Sequence, residues 1–137
     1  MSDFSGLFKI RNGREGDKNF VLATFLRGLY YGESFFSQVP KDVFMERYKR
    51  VAQALVNDDN VTIKIACLPE DEDVILGYSL HSRDGKTLYW CFVKAAWRRR
   101  GVAKALVPPN PNYVAHLTRL GQSLLYKLPN VEFNPFF

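Results

Sequence analysis

One stretch of the sequence, residues 87–107, constrains the fold more than any other. Residues 88–93 (LYWCFV) are aromatic and β-branched and lack Gly and Pro, which predicts a largely buried strand. Residues 98–107 (RRRGVAKALV) combine helix formers with apolar residues near helical spacing, which predicts a helix stopped by Pro108 and Pro109. The sequence therefore predicts a buried strand that turns, through arginines and a glycine, into a helix.

Such a junction suits a phosphate-containing ligand. The first N–H groups of a helix are unpaired, a glycine allows close approach of the backbone, and the arginines add positive charge. A basic turn that is merely solvated is the alternative, because clusters of like charge are commonly exposed surface.

The segment Arg98-x-x-Gly101-x-Ala103 resembles the acyl-coenzyme A signature of the GNAT (GCN5-related N-acetyltransferase) superfamily, Gln/Arg-x-x-Gly-x-Gly/Ala. Further segments are similar in order and spacing to small phage-encoded GNAT-like proteins associated with Mom-type DNA modification. These segments are residues 20–31, 75–78, 92–94, 115–118 and 133–136. The resemblance thus covers nearly the whole chain.

The resemblance implies one GNAT domain over residues 1–137. Its α/β (α+β) fold would have a mixed, mostly antiparallel central sheet with splayed strands, flanked by helices. Acetyl-CoA would be the acyl donor, with its pantetheine amides on the strand and its pyrophosphate in the loop. The residues implied to bind the coenzyme are Phe92, Val93, Lys94, Arg98, Arg99, Arg100, Gly101, Val102, Ala103 and Lys104. The signature helix is shorter than is usual in the family, so a more open cleft is expected.

Three residues are candidates for catalysis. His116 lies at the end of a predicted strand at residues 113–117, and its side-chain pKa range suits a base near neutral pH. Tyr126 lies in a predicted helix where many GNAT proteins place a tyrosine acid, and Tyr89 on the central strand is a third candidate for proton transfer or acceptor binding. A structural role in the core is the alternative for each. His81 is expected to face solvent.

Aromatic residues cluster in a predicted loop at residues 30–36. One interpretation is that this segment forms a wall of an acceptor site, which makes Tyr30, Tyr31, Glu33, Phe35 and Phe36 candidates for acceptor binding. The alternative is a hydrophobic loop that closes the core.

The remaining segments predict a β-α-α-β-β-β-α-β-α-β order. Strands are predicted at residues 7–11, 61–68, 74–82 and 131–137, and helices at 17–31, 40–56 and 118–127. The second helix is expected to bury Val43 and Val51 among others. The acidic residues 70–73 are expected to form a solvated turn rather than a metal site.

The chain carries a formal net charge of +5, which favours acidic partners such as coenzyme phosphates or nucleic acid. Cys67 and Cys91 stand within predicted strands without a metal-ligand spacing, so reduced thiols and no metal site are expected. No run is long and apolar enough for a membrane span and no signal peptide is recognisable, which predicts a cytoplasmic protein, in the host cytoplasm if phage-encoded. A monomer or a homodimer is compatible with the pattern.

Three functions remain open from the sequence. The first is acyl transfer from coenzyme A to the amine of a small molecule or protein. The second is Mom-like modification of the adenine amino group in DNA, with phosphate contacts from Arg14, Lys18, Arg47, Lys49 and Arg50. The third is a catalytically silent GNAT fold that binds a host factor.

Overall fold

The computed structural model describes residues 6–32, 34–109, 111–115 and 132–133. Along these residues, the strands are β1 (Lys9–Asn12), β2 (Val61–Leu68), β3 (Asp71–Ser82), β4 (Thr87–Val93), β5 (Tyr113–Val114) and β6 (Glu132–Phe133). The helices are α1 (Lys18–Gly32), α2 (Ser34–Ser37), α3 (Lys41–Val56) and α4 (Val102–Leu106), with short 3-10 turns at Glu15–Asp17 and Ala95–Trp97.

The strands form one sheet in chain order, antiparallel from β1 to β4 and parallel from β4 through β6. Successive antiparallel strands can be joined by tight turns, whereas the parallel step from β4 to β5 needs a longer crossover, which here contains α4. Gly85, with a φ of 74°, adopts the left-handed conformation in the β3–β4 turn. The predicted meander and the mostly antiparallel sheet flanked by helices are confirmed.

The two faces of the sheet are packed differently. Successive side chains of a strand point to opposite faces, so Tyr78 and Leu80 of β3 join the core under α1 and α3, whereas Ser79 reaches α4. The α1 face buries mainly large rings and branched chains; its aromatic members are Phe25, Tyr30, Phe44, Tyr78 and Trp90. The α4 face buries smaller groups around Ala66, Leu76, Val93, Val102 and Leu106. Burial of each large apolar side chain stabilises the fold by about 1.5–3 kcal/mol, so the α1 face contributes most.

Helix α3 confirms the predicted helix, but its buried side is narrower than expected. Phe44, Ala52 and Leu55 are buried, whereas Val43 and Val51 are 44% and 40% exposed. The expectation that these two valines are buried is wrong. Each residue advances about 100° around a helix axis, and once Phe44 and its equivalents face the sheet, Val43 and Val51 lie beyond the edge of the contact.

The aromatic segment at residues 30–36 is largely helical rather than the expected loop. Helix α1 continues to Gly32 and α2 follows at Ser34–Ser37. The Tyr30 hydroxyl donates to the Val39 carbonyl at 2.7 Å, and the Tyr30 ring lies 5.0 Å from that of Phe44. Burial of these rings against α3 stabilises helical structure that the aromatic composition alone did not indicate.

Three further expectations are corrected. His81 is buried, not solvent-facing, because it shares the α4 face of β3 with Ser79. The acidic turn is reduced to residues 69–70; β3 already starts at Asp71, and Glu72 pairs with Lys9 and Arg14. The signature helix starts at Val102 rather than at residue 98, since the residues before it include two left-handed conformations.

Candidate active site

Within the described part of the chain, strands β4 and β5 pair over two residues only. Thr87 pairs with Tyr113 and Leu88 with Val114, and the Ala115 N–H donates to the Leu88 carbonyl at 3.0 Å. β5 ends at Val114, and within the residues that the structure describes, no strand pairs with β4 beyond Leu88 on this side. Among the described residues, the remainder of β4 therefore has a backbone edge without a strand partner, at the place where the resemblance predicts splayed strands.

The hydrogen-bond register shows which backbone groups face that edge. The Lys94 N–H donates to the Leu76 carbonyl at 2.9 Å, so Lys94 turns its N–H toward β3. Backbone groups alternate in direction along a strand, so Phe92 also faces β3, whereas Cys91 and Val93 face the open side. Among the residues implied to pair with pantetheine, Val93 is thus the one whose backbone groups point outward.

Arg98 reaches this edge from the loop. Its side-chain Nε donates to the Val93 carbonyl oxygen at 3.2 Å. The contact ties the first arginine of the basic segment to the end of β4 and leaves the terminal amino groups of the guanidinium for another acceptor.

The loop that follows β4 combines exposed positive charge with unusual backbone conformations. Arg99 and Gly101 have φ values of 64° and 80°, both left-handed. Arg98, Arg99 and Arg100 are exposed, and the Arg100 guanidinium lies 5.1 Å from the centroid of the Trp97 ring. A β-carbon added at Gly101 would have no atom of the other described residues within 4 Å apart from its chain neighbours, so this position opens outward. Successive N–H groups in such left-handed turns form anion-binding concavities.

Helix α4 holds the loop against the sheet. Val102 and Leu106 are 1% and 2% exposed, whereas Lys104 is exposed and Ala103 half-buried. The Ser79 hydroxyl donates to the Leu106 carbonyl at 3.1 Å, which satisfies a carbonyl at the helix end. Sequence reasoning missed this contact, although the alternation in β3 places Gly77, Ser79 and His81 on one face.

The bond from Ser79 also fixes the state of His81. The only hydroxyl proton of Ser79 goes to Leu106, so at the 3.4 Å contact between Ser79 Oγ and His81 Nδ1 the imidazole is the donor. Burial, with a smaller effect of the Lys64 charge, lowers the pKa of His81. His81 is therefore neutral at physiological pH, with its proton on Nδ1.

Some candidate catalytic and acceptor residues are accessible, others pack in the core, and others lie outside the described residues. Tyr89 follows directly after the last pair of β4 with β5 and is half-buried, and burial is the main cause that raises its pKa. Tyr31 is 61% exposed, with the Lys41 ammonium 5.3 Å from its ring centroid. Tyr30 and Phe36 instead pack into the core beside Phe44. The assignments to His116, Tyr126 and Glu33, and to the side chain of Phe35, lie outside the described residues.

The described residues include side chains of the types that could bind a metal ion. Among the described residues, no group of three or more His, Cys, Asp or Glu side chains is arranged to hold a metal ion. Cys67 and Cys91 are free thiols, the first buried and the second half-buried. In the described part of the chain, no helix has the length and apolar character needed to cross a membrane.

Comparison with solved structures supports the architecture. The sequence matches no protein-family model and no curated protein sequence. A proposed acetyl transferase from Pyrococcus furiosus is similar in structure with a TM-score of 0.59 at 15% identity, over 93% of this chain and 80% of that one.

Two further solved structures show the same similarity. The histone acetyltransferase HPA2 and related acetyltransferase from Corynebacterium glutamicum gives a TM-score of 0.54 at 15% identity, over 72% of this chain and 67% of that one. A proposed acetyltransferase from Clostridium difficile 630 gives 0.52 at 14% identity, over 93% and 79%. The chain therefore has the fold of GNAT acetyltransferases, as predicted.

Proposed function

We propose that the protein is an acyl-CoA-dependent N-acyltransferase that transfers an acetyl or related acyl group to an amine. The observation that carries the proposal is the position of the basic loop: arginines 98–100 follow the end of β4 after one short turn, and among the described residues this end of β4 has no strand partner on its β5 side. The shared fold of the acetyltransferases supports it, as does the match of Arg98, Gly101 and Ala103 to the coenzyme signature.

The residues fit a coenzyme A molecule in two ways. The outward backbone groups of Cys91 and Val93 can pair with amide groups, and the exposed arginines with the left-handed Gly101 can hold a pyrophosphate. Acetyl-CoA would supply the acyl group as a thioester. We propose residues 92–94 and 98–104 as the binding segment for this coenzyme.

Proton transfer requires an acid and a base near the end of the β4–β5 pairing. Tyr89 lies there, and its hydroxyl is protonated at neutral pH, as a phenol ordinarily is; burial raises its pKa further. We propose Tyr89 as an acid, and, from the sequence alone, His116 as the base and Tyr126 as a further acid. Tyr31, with Glu33, Phe35 and the other aromatic residues of 30–36, is proposed for the acceptor side.

The expected result for Tyr89→Phe, His116→Ala and Tyr126→Phe is reduced turnover with coenzyme affinity retained, measured by steady-state kinetics and calorimetry.

The decisive experiment is calorimetric titration with acetyl-CoA of the wild type and of Gly101→Glu. The added carboxylate would project into the proposed phosphate site, so affinity is expected to fall at least about a hundredfold, about 2.7 kcal/mol. Gly85→Glu is the matched control: its φ of 74° imposes similar backbone strain, but it lies in the β3–β4 turn. Coenzyme binding that survives in Gly101→Glu would contradict the site; no binding to the wild type would contradict the function.

Modification of the adenine amino group in DNA by a Mom-like phage protein is a second candidate acceptor reaction. Arg47, Lys49 and Arg50 are exposed on α3, and within the described residues no carboxylate forms an ion pair with them. Arg14 and Lys18, by contrast, are paired with Glu72 and Glu15. Duplex binding that weakens steeply with salt and is reduced in Arg47→Gln/Arg50→Gln would support this acceptor. Coenzyme binding without turnover on amines or DNA would instead favour a silent binding protein.

A further inference from the structure

A cavity open to solvent lies on the β3 side of β4, away from the edge that faces β5. It has a volume of about 650 Å³ and is formed by the start of α1, the start of β3 and the residue that follows β4. Its apolar walls include Phe20 and Ile75, and its charged lining consists of Arg14, Asp17, Asp73 and Lys94. This size is within the range of small-molecule sites, about 300–1,000 Å³.

Two of the lining charges are already compensated. The Asp17 carboxylate accepts hydrogen bonds from two Arg11 nitrogens at 2.7 and 3.0 Å, and Arg14 forms an ion pair with Glu72. These groups shape the wall, but they offer little net charge to a ligand.

Lys94 and Asp73 are different. Within the described part of the chain, neither takes part in an ion pair. The Lys94 ammonium lies 5.7 Å from the centroid of the Phe20 ring and the side chain is half-buried, whereas Asp73 is exposed. Water screens the exposed carboxylate more than the half-buried ammonium, so the field inside the cavity favours an anion beside Lys94.

We propose that this cavity binds a small organic acid, a carboxylate or phosphate with an apolar body. The anionic group would lie at Lys94 Nζ and the apolar body against Phe20 and Ile75. Phe20 packs with Tyr78 and Phe92 on the α1 face of the sheet, and α4 with its basic loop packs on the other face, so the cavity lies apart from the proposed pyrophosphate loop. Lys94 belongs to both proposed sites, and the cavity uses its side-chain ammonium. The proposal does not depend on the acyltransferase function.

The test is a titration of ¹⁵N-labelled full-length protein with benzoate, with benzamide as the uncharged control. Benzoate is expected to shift the amide signals of residues 16–20, 73–75 and 94, and benzamide to bind several-fold more weakly. Lys94→Gln is expected to weaken benzoate binding about fivefold and Asp73→Asn to strengthen it about twofold, because exposed and half-exposed charge pairs contribute modestly to binding. The amide spectrum of each variant reports whether it is folded.

The outcomes separate the possibilities. Equal benzoate affinity in the wild type and in Lys94→Gln, or equal affinity for benzoate and benzamide, would overturn the proposal. The coenzyme also carries phosphates and a purine ring, so acetyl-CoA is added to the benzoate-bound protein. Displacement of benzoate would assign the cavity to the coenzyme and overturn a separate site; simultaneous binding supports it. Benzoate binding without coenzyme binding would contradict the proposed function and leave this site intact.

Discussion

Two basic regions of the molecule look alike in sequence and differ in structure. Arg11 and Arg14, near the start of α1, face Asp17 and Glu72. Arg98, Arg99 and Arg100, after β4, are exposed, and none of them forms an ion pair with a carboxylate among the described residues. The arginines of the first region bind carboxylates of the protein itself, whereas those of the second region remain accessible to a ligand.

The difference lies in burial as much as in pairing. The side chains of Arg11 and Asp17 are 8% and 10% exposed, and they make two parallel N–H···O bonds. The hydrogen bonds from Arg11 are the main cause that lowers the pKa of Asp17. A buried bidentate pair of this kind holds β1, the 3-10 turn and the backbone carbonyl of Glu72 in one arrangement. It is structural charge, and it does not mark a ligand site.

The largest expected effect is on this buried pair. Asp17→Ala removes the carboxylate and leaves the Arg11 guanidinium buried without compensation, so the free energy of unfolding is expected to fall by about 3 kcal/mol. Urea denaturation measures the change. Asp59→Ala, at an exposed position, is the control and should change stability by less than about 0.5 kcal/mol. If Asp17→Ala unfolds like the control, the pair contributes nothing and the comparison fails.

Charge removal in the other region should have the opposite pattern. Arg99→Gln/Arg100→Gln is expected to weaken acetyl-CoA binding about tenfold, which corresponds to about 1.4 kcal/mol. Stability should change by only a few tenths of a kcal/mol, because exposed charges contribute little. The control is Arg47→Gln/Arg50→Gln, which removes the same charge from α3. A similar loss of affinity in both double variants would show that net charge, not the loop, attracts the coenzyme.

The exposed side of this contrast, the basic loop after β4, could be predicted from sequence because the features that define it are local. Side-chain alternation and β-branching predict the strands at residues 88–93 and 61–68. Gly101 predicts a turn in the loop, because glycine readily adopts left-handed backbone conformations. Both signals depend only on neighbouring residues. The basic loop can be predicted for the same reason, because its arginines and glycine are consecutive in the sequence. The fold could also be predicted, since residues 98, 101 and 103 stand at the spacing of the signature they resemble.

What could not be predicted depends on contacts between distant segments. Glu72 looks like part of a solvated acidic run, and only the pairing of β1 with β2 and of β2 with β3 brings Lys9 and Arg14 to it. His81 is likewise buried because α4 packs on its face of β3. The composition of residues 30–36 predicts a loop, and the helical structure depends on the packing of Tyr30 against Phe44 of α3.

A smaller effect would sharpen the role of Arg98. Arg98→Lys keeps the positive charge but loses the Nε donor to the Val93 carbonyl. Coenzyme affinity is expected to fall about threefold, in keeping with about 0.5–1.5 kcal/mol for one hydrogen bond. Isothermal titration measures the loss, and Arg83→Lys on the β3–β4 turn serves as the control. Wild-type affinity in Arg98→Lys would mean that the contact to Val93 does not position the loop.

The smallest expected effect concerns Glu72, which is half-exposed and screened by water. Hydrogen bonds from Lys9, then from Arg14, lower its pKa from 4.5 to about 2. A carboxyl group with a lowered pKa in the folded state stabilises the protein above the unfolded pKa, and the contribution is lost as the pH falls from about 4.5 toward 2. Glu72→Gln should therefore be less stable than the wild type at pH 6, and the two unfolding midpoints should converge near pH 2. Adding 1 M salt at pH 6 should also reduce the difference. A difference that persists unchanged at pH 2 would show that the Glu72 side chain acts through its shape rather than its charge, and that the two basic regions differ less than their ion pairs suggest.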